Sequence, residues 1–197
     1  MAAPEFEIFW SDLTGSDMLA LGLFLAVAAA PYVVAWRQET SIALATVLSL
    51  LLVTFYQMII DFGLFDFTPM AFLTLIPAIA DHPDQLHRFF TSAWLHADWI
   101  HVLGNILVIA LAGVPLEQRM GRSRWIVIYF VGLLGGNISW VLTHPDSNIP
   151  ALGASGAAFG ILGAYMACWP YDRIEFPLLF FIRAWPVWGI AAFRLGL

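Results

Sequence analysis

Charge is scarce in this chain. Charged residues make up 11% of its 197 positions, and the eight basic ones are all Arg, with no Lys. Because nucleic-acid binding needs a dense basic surface, eight scattered Arg residues and a formal net charge of −6 exclude nucleic acid as a partner. The single cysteine, Cys168, excludes an internal disulfide, and its apolar neighbours predict a buried thiol. The acidic N-terminus lacks the basic region of a cleaved signal peptide, so we expect the first apolar segment to be retained.

Apolar residues, by contrast, make up 61% of the chain, and its mean hydropathy is +0.82. This composition is typical of a polytopic membrane protein, whose surface faces lipid. Most of the apolar stretches approach the ~20 residues that a helix needs to cross ~30 Å of hydrocarbon. The sequence therefore predicts an all-α bundle of about six transmembrane helices. The six stretches are Met18 to Trp36, Ser41 to Ile60, Leu95 to Val114, Trp125 to Leu142, Gly153 to Trp169 and Phe176 to Leu197.

Basic residues between these stretches predict the orientation. Arg occurs in the first, third and fifth connections, whereas the N-terminal tail and the fourth connection carry acids and no Arg. The positive-inside rule then places the odd-numbered connections in the cytoplasm and the N-terminus outside. The second connection, residues 61–87, is acidic but rich in Phe and Leu, so we expect it to lie in the membrane interface.

With this orientation, the third and fifth helices both begin at the outer side, at similar depth. His101 and Asn105 are four residues apart and share one face of the third helix. Ser155 is expected about one turn into the fifth helix, where free N–H groups and the positive end of the dipole favour a developing negative charge. Gly153 and Gly156 remove side-chain bulk beside it. A hydroxyl nucleophile beside hydrogen-bond donors is the arrangement used for acyl transfer.

Structural roles explain some of these residues equally well. A Ser between Ala and Gly is common in tightly packed membrane helices, so Ser155 alone does not establish a nucleophile. His101 and Asn105 favour function, because ionisable and amide groups are costly inside a span. His96, about 140° around the helix from His101 and nearer the outer surface, fits either a site residue or a polar cap.

A metal or proton pathway is a third alternative, built from the histidines and aspartates near the second connection. Their spacing matches no recognised ligand pattern, and Arg88 beside them would repel a cation. We therefore predict neither a metal nor another cofactor. The residues concerned are His82, His87, His96, His101, Asp81 and Asp84.

Three stretches resemble a known family in their order and spacing. Residues 88–105 resemble the start of the second core helix of rhomboid intramembrane serine proteases. Glu117 to Gly121 resembles the turn of a Glu and a Gly that follows that helix, and Gly153 to Gly160 resembles the nucleophile motif. The resemblance divides the chain into residues 1–40, a tail with an extra transmembrane helix, and residues 41–197, a rhomboid-like core that holds core helices one to five.

The resemblance also implies a role for each candidate residue. Ser155 would be the nucleophile, and His101 and Asn105, with the Ser155 backbone N–H, would be the oxyanion donors. His96 would support the site, and Phe159 would lie where an aromatic side chain packs on the catalytic His. The expected partners are membrane lipids and the transmembrane helix of a substrate, and the expected location is a bacterial inner membrane, crossed several times.

In this family the sixth core helix supplies the catalytic His, followed three residues later by a Gly. No His follows His144 in this chain, and His144 itself is interpreted as a turn residue of the fourth connection. Without a base the Ser hydroxyl stays protonated, so the 197 residues alone are expected not to cleave peptides. Two accounts stay open. The protein is an intramembrane protease whose catalytic His is not among these residues, or it is a rhomboid-like scaffold that binds transmembrane helices in a larger membrane complex without hydrolysis.

Overall fold

The computed structural model describes residues 10–60, 69–174 and 185–186, which are helical almost throughout. Short 3-10 turns lie at Trp10–Asp12, Pro77–Ile79, Pro83–Gln85 and Ser92–Trp94. The longer elements are α1 (Gly15–Arg37), α2 (Ile42–Ile59), α3 (Pro69–Leu73), α4 (Arg88–Thr91), α5 (Trp99–Val108), α6 (Val114–Met120), α7 (Arg122–Thr143) and α8 (Ser155–Cys168), followed by β1 (Arg173–Ile174) and β2 (Trp185–Pro186).

The described residues form the predicted membrane bundle. Four helices among them are long and apolar enough to cross a bilayer: α1, α2, the continuous helix Trp99–Met120, and α7. The helix α8 is apolar but shorter, at 14 residues. The sixth predicted segment, Phe176 to Leu197, lies outside the described residues except at β2, which pairs antiparallel with β1. The all-α membrane fold is therefore confirmed.

The third span differs from the predicted Leu95 to Val114 at both ends. It begins at Trp99, because the Asp98 side chain accepts the backbone N–H of His101 at 2.7 Å and caps the helix. It continues past Pro115 to Met120, because a π-helical turn at Ile109–Gly113 precedes the proline and absorbs the change in hydrogen bonding. The span thus begins and ends later in the chain than predicted.

Glycines set the distance between α7 and α8. A Cβ added at Gly132 would lie 2.8 Å from the carbonyl oxygen of Gly156 and 2.9 Å from the Cα of Gly160. Only glycine allows the two backbones to approach this closely, which is the small-residue packing of membrane helices. The nucleophile candidate at the start of α8 is therefore held against α7 by backbone contact.

At the opposite end of the bundle, Glu117 joins α6 to the start of α2. Its carboxylate is buried and accepts hydrogen bonds from the Ser41 hydroxyl at 2.5 Å and from the backbone N–H groups of Ile42 and Ala43, each at 2.9 Å. A carboxylate at a helix N-terminus satisfies free N–H groups and suits the positive end of the dipole.

Residues 69–94, which include the described part of the second connection, fold into short helical turns and pack on the bundle. Arg88 is 1% exposed and donates to the carbonyl oxygens of Ala71 and Thr74 at 2.9 and 2.8 Å. The segment pairs with the fourth connection through an antiparallel bridge between Leu75 and Ala151. It is an ordered part of the core rather than a solvated loop.

Two hydrogen bonds fasten the N-terminal helix α1 to α2. The Tyr56 hydroxyl donates to the carbonyl of Ala20, and the Ser49 hydroxyl donates to that of Ala28, both at 2.7 Å.

At the C-terminal end of α8, Cys168 is exposed, so the prediction of a buried thiol was wrong. It occupies the last helical position, where the helix leaves the packed interior.

Candidate active site

The N-terminal ends of α5 and α8 bring three predicted residues together. The Nε2 atom of His101 lies 3.1 Å from the Oγ of Ser155, and that hydroxyl donates to the Oδ1 of Asn105 at 3.3 Å. Ser155 follows His101 by 54 residues and Asn105 by 50 residues in the chain. The fold thus assembles a hydroxyl, an imidazole and an amide in one place.

The hydrogen bonds indicate how His101 acts toward the hydroxyl. A Ser hydroxyl has a single proton, so a hydroxyl that donates to Asn105 can only accept from His101. His101 then carries its proton on Nε2 and donates it to the Ser155 oxygen. This is the direction required of a group that stabilises an oxyanion.

Ser155 is the first residue of α8, not a residue one turn inside it, so that detail of the prediction was wrong. The Gly153 backbone turns sharply two residues earlier, and the helix starts only after Ala154. The hydroxyl therefore lies at the positive end of the α8 dipole, next to backbone N–H groups that have no partner inside the helix.

Gly153 permits the close approach of His101. Its φ is +105°, a left-handed conformation that side chains rarely adopt. A Cβ at this position would lie 2.6 Å from Cε1 and 2.7 Å from Nε2 of His101, and 3.5 Å from Nδ2 of Asn105. The absence of a side chain at residue 153 therefore lets the His101 ring lie against the backbone that leads to Ser155.

His96 lies before the third helix rather than around it, so its predicted placement about 140° from His101 on a helix was wrong. Its ring is 1% exposed, and its Nε2 lies 3.0 Å from Nδ2 of Asn105 and 3.4 Å from the backbone N of Ala154. Both of these groups are donors, so Nε2 accepts and the proton sits on Nδ1, which faces the Trp94 carbonyl at 3.3 Å.

Burial, together with the neighbouring His101, lowers the pKa of His96 to about 4. A neutral ring at physiological pH keeps Nε2 as an acceptor. His96 therefore holds the Asn105 amide with its nitrogen toward itself and its oxygen toward Ser155.

Gln57 was missed by the sequence reasoning. Its buried amide donates to the carbonyl of His96 at 3.0 Å and accepts the His96 N–H at 3.4 Å, so it clamps the backbone that carries the ring. An amide side chain near the end of an apolar span was the available signal, because such groups are costly in lipid.

Two further residues of the prediction lie at the edge of this region. His144 follows α7, stacks on Trp140 with ring centroids 3.9 Å apart, and has its Nδ1 2.9 Å from the Thr143 hydroxyl. It is held at the helix end as a turn residue. Phe159 is 41% exposed one turn into α8, and its packing on a catalytic His stays a prediction.

Within residues 10–60 and 69–174, no group of three or more metal-binding side chains comes together. The histidines considered for a metal pathway have other neighbours: His82 approaches Asp81 at 4.0 Å, and His87 bonds the carbonyls of Asp84 and Phe72. Burial lowers the pKa of His87, and Arg88 acts in the same direction.

Comparisons with known proteins show which family the chain is similar to. The family model described as Rhomboid domain matches residues 83–196. The chain is 42% identical over 86 residues to RHOMBOID-like protein 7 of Arabidopsis thaliana, covering 44% of this chain and 27% of that protein. It is 37% identical over 79 residues to the putative rhomboid protease YdcA of Bacillus subtilis (strain 168), covering 40% and 39%.

A relative named as inactive matches over a similar length. The chain is 34% identical over 83 residues to Inactive RHOMBOID-like protein 8 of Arabidopsis thaliana, covering 42% of this chain and 23% of that protein. These matches span between 23% and 39% of the length of the three relatives. No solved structure matches the chain.

Proposed function

The chain belongs to the rhomboid family, and from that premise we propose that it is an intramembrane serine endopeptidase that cleaves single-span membrane proteins. One observation carries the proposal: the Ser155 hydroxyl lies 3.1 Å from His101 at the start of a helix inside an integral membrane bundle. The close packing of α7 and α8 alone would not require an imidazole and an amide at that spot.

In this mechanism Ser155 attacks the scissile carbonyl, and the carbonyl oxygen takes up negative charge. His101 and Asn105, with the backbone N–H of Ser155, stabilise that charge as oxyanion donors. Asn105 now turns its oxygen to the Ser155 hydroxyl, so its amide nitrogen reaches the oxyanion only after that bond is released. His96 supports the amide from behind.

The general base is proposed to be a His of a further core helix, as the family resemblance implies. It would take the Ser155 proton during attack and return it to the leaving amine. His101 is not assigned this role, because its Nε2 donates toward the hydroxyl that Asn105 draws away.

The substrate is proposed to be a transmembrane helix that unwinds near its outer end, because a helical backbone does not expose its carbonyls to attack. We further propose that the protein crosses a bacterial inner membrane with its N-terminus outside, on the basis of the Arg distribution between its spans.

A non-catalytic scaffold is the second candidate function, favoured by the similarity to a relative named as inactive. The region around the N-terminal ends of α5 and α8 would then hold a partner's transmembrane helix, alone or in a larger membrane complex, without hydrolysis.

A fluorophosphonate probe separates the two functions when it is applied to protein expressed from the complete reading frame. An endopeptidase is labelled, the label disappears in Ser155→Ala, and Ser139→Ala, an exposed Ser on α7, behaves as wild type. A scaffold is not labelled, and its membrane partner still co-purifies with Ser155→Ala.

The same assay tests the oxyanion donors. We expect His101→Ala and Asn105→Ala each to remove about 2–4 kcal/mol of transition-state stabilisation. Labelling of Ser155 should then be slower by roughly 30- to 900-fold. Wild-type rates in both variants would remove these residues from the mechanism. Complete loss of labelling in His101→Ala alone would instead make His101 the base.

A further inference from the structure

The peptide just before Ser155 is held by a different part of the chain. The N–H of Gly153 donates to the Ser92 carbonyl at 2.8 Å. Earlier in the same connection, Leu75 and Ala151 exchange backbone hydrogen bonds of 3.0 and 2.7 Å, and Ala78 donates to Ser147 at 3.1 Å. The backbone that leads into α8 therefore follows the position of residues 75–92.

Asn137 ties that segment to α7. Its Nδ2 donates to the Phe89 carbonyl at 2.8 Å and to the Ser92 hydroxyl at 3.3 Å. Asn137 is one residue beyond Gly136, on the part of α7 whose backbone touches that of Gly156 in α8. The helix that sets the depth of α8 and the segment that holds Gly153 are thus joined by one side chain.

We propose that Asn137 is a positioning residue for the nucleophile. Through Phe89 and Ser92 it sets the place of the Gly153 peptide, and hence of the Ser155 hydroxyl against His101 and Asn105. This inference rests on the proposed function and deepens it, since it adds a residue that touches neither the substrate nor the reacting atoms.

A polar side chain in an apolar span is the reason to look for such a role. An amide on a membrane helix is costly unless it is hydrogen-bonded. The amide of Asn137 donates hydrogen bonds to the segment that holds Gly153. Positioning also predicts an effect that folding alone does not, because displacing a reacting group by about 1 Å can cost about 10²-fold in rate.

The test uses variants of the protein from its complete reading frame. Asn137→Leu keeps the approximate size and removes the donor, whereas Asn137→His places a ring N–H near the former amide nitrogen. Thr143→Val is the matched control, because that hydroxyl bonds the Ser139 and Trp140 carbonyls within its own helix. Ser92→Ala removes the weaker of the two Asn137 contacts and serves if Asn137→Leu fails to fold.

Three measurements are made on each variant: the fluorophosphonate labelling rate of Ser155, hydrogen exchange of the backbone in residues 147–155, and the thermal unfolding midpoint. In Asn137→Leu we expect Ser155 to be labelled about tenfold or more slowly and the backbone of residues 147–155 to exchange hydrogen faster. The unfolding midpoint of Asn137→Leu should equal that of Thr143→Val. Asn137→His should recover most of the rate, and Ser92→Ala should lose less than Asn137→Leu.

Labelling of Asn137→Leu at the wild-type rate would overturn the inference, as would a loss that merely follows a lowered unfolding midpoint or that Asn137→His does not recover. If the wild-type protein is not labelled at all, the proposed function fails, and hydrogen exchange then decides the positioning alone. Faster exchange in Asn137→Leu supports the tie, and unchanged exchange refutes it.

Discussion

Replacing Gly153 with Ala is expected to disable the site by moving His101. The added Cβ would lie 2.6 Å from Cε1 and 2.7 Å from Nε2 of that ring. Carbon atoms in contact sit about 3.5–4.0 Å apart, so the ring must retreat by about 1 Å. A retreat of this size breaks the 3.1 Å contact with the Ser155 hydroxyl.

The cost divides into two parts of different origin. The left-handed backbone at Gly153, with φ of +105°, is expected to cost about 1–2 kcal/mol of folding stability in Ala. Displacement of His101 is expected to slow Ser155 labelling by about 10²-fold. Gly163→Ala is the matched control on α8, since a Cβ there meets nothing within 4 Å; it should raise stability by about 0.5–1 kcal/mol without changing the labelling rate.

A double-mutant cycle with His101→Ala tests the reasoning directly. Once the ring is gone, the added Cβ has no His101 atoms to displace, so Gly153→Ala should then slow labelling far less than it does in the wild-type background. The stability loss from the backbone conformation should persist. An equal loss of labelling rate in both backgrounds would show that the clash with His101 is not the cause, and wild-type labelling in the single variant would refute the predicted geometry.

Two predictions concern stability, measured by unfolding in mixed micelles. Glu117→Gln replaces a buried acceptor of three hydrogen bonds and is expected to lower the free energy of unfolding by about 2 kcal/mol. The exposed control Glu39→Gln should change that free energy little. Equal effects of the two substitutions would contradict the capping role of Glu117. Because the pKa of His96 is about 4 when folded and about 6.5 when unfolded, the unfolded state binds the extra proton between these values. Stability should therefore fall as pH drops from 6.5 to 4, and His96→Gln should flatten that fall, leaving the contribution of His87, whose pKa burial also lowers. An unchanged slope would show that His96 is not the titrating group.

The sequence predicted the helices well and their ends less well. The span α1 was placed at Met18 to Trp36 and lies at Gly15–Arg37, because hydropathy reports the apolar body of a helix and not its cap. The third span extends past Pro115 because a π turn precedes it, and hydropathy gives no sign of that turn. The start of α8 moved to Ser155 because the left-handed turn at Gly153 comes before the helix.

The residues of the candidate site could be predicted from the sequence, but their hydrogen bonds could not. The spacing of four residues between His101 and Asn105 is a local property of a helix, so it could be read directly. The role of His96 could not, because its acceptor contacts with Asn105 and Ala154 depend on where α8 lies. Gln57 and Asn137 stood out only as polar residues in apolar spans until their partners on distant segments were located.

The amino-acid sequence by itself determined that this is a helical membrane protein of the rhomboid type, and it singled out Ser155, His101 and Asn105 as candidate site residues, because hydropathy, helical spacing and motif order are local properties. Only the tertiary structure decided that the Ser155 hydroxyl meets His101, with its proton drawn to Asn105 and the amide fixed by a neutral His96. The two contacts of Ser155 join residues about fifty positions apart. They exist because glycines let α7 and α8 touch and because backbone hydrogen bonds hold the turn at Gly153 in place.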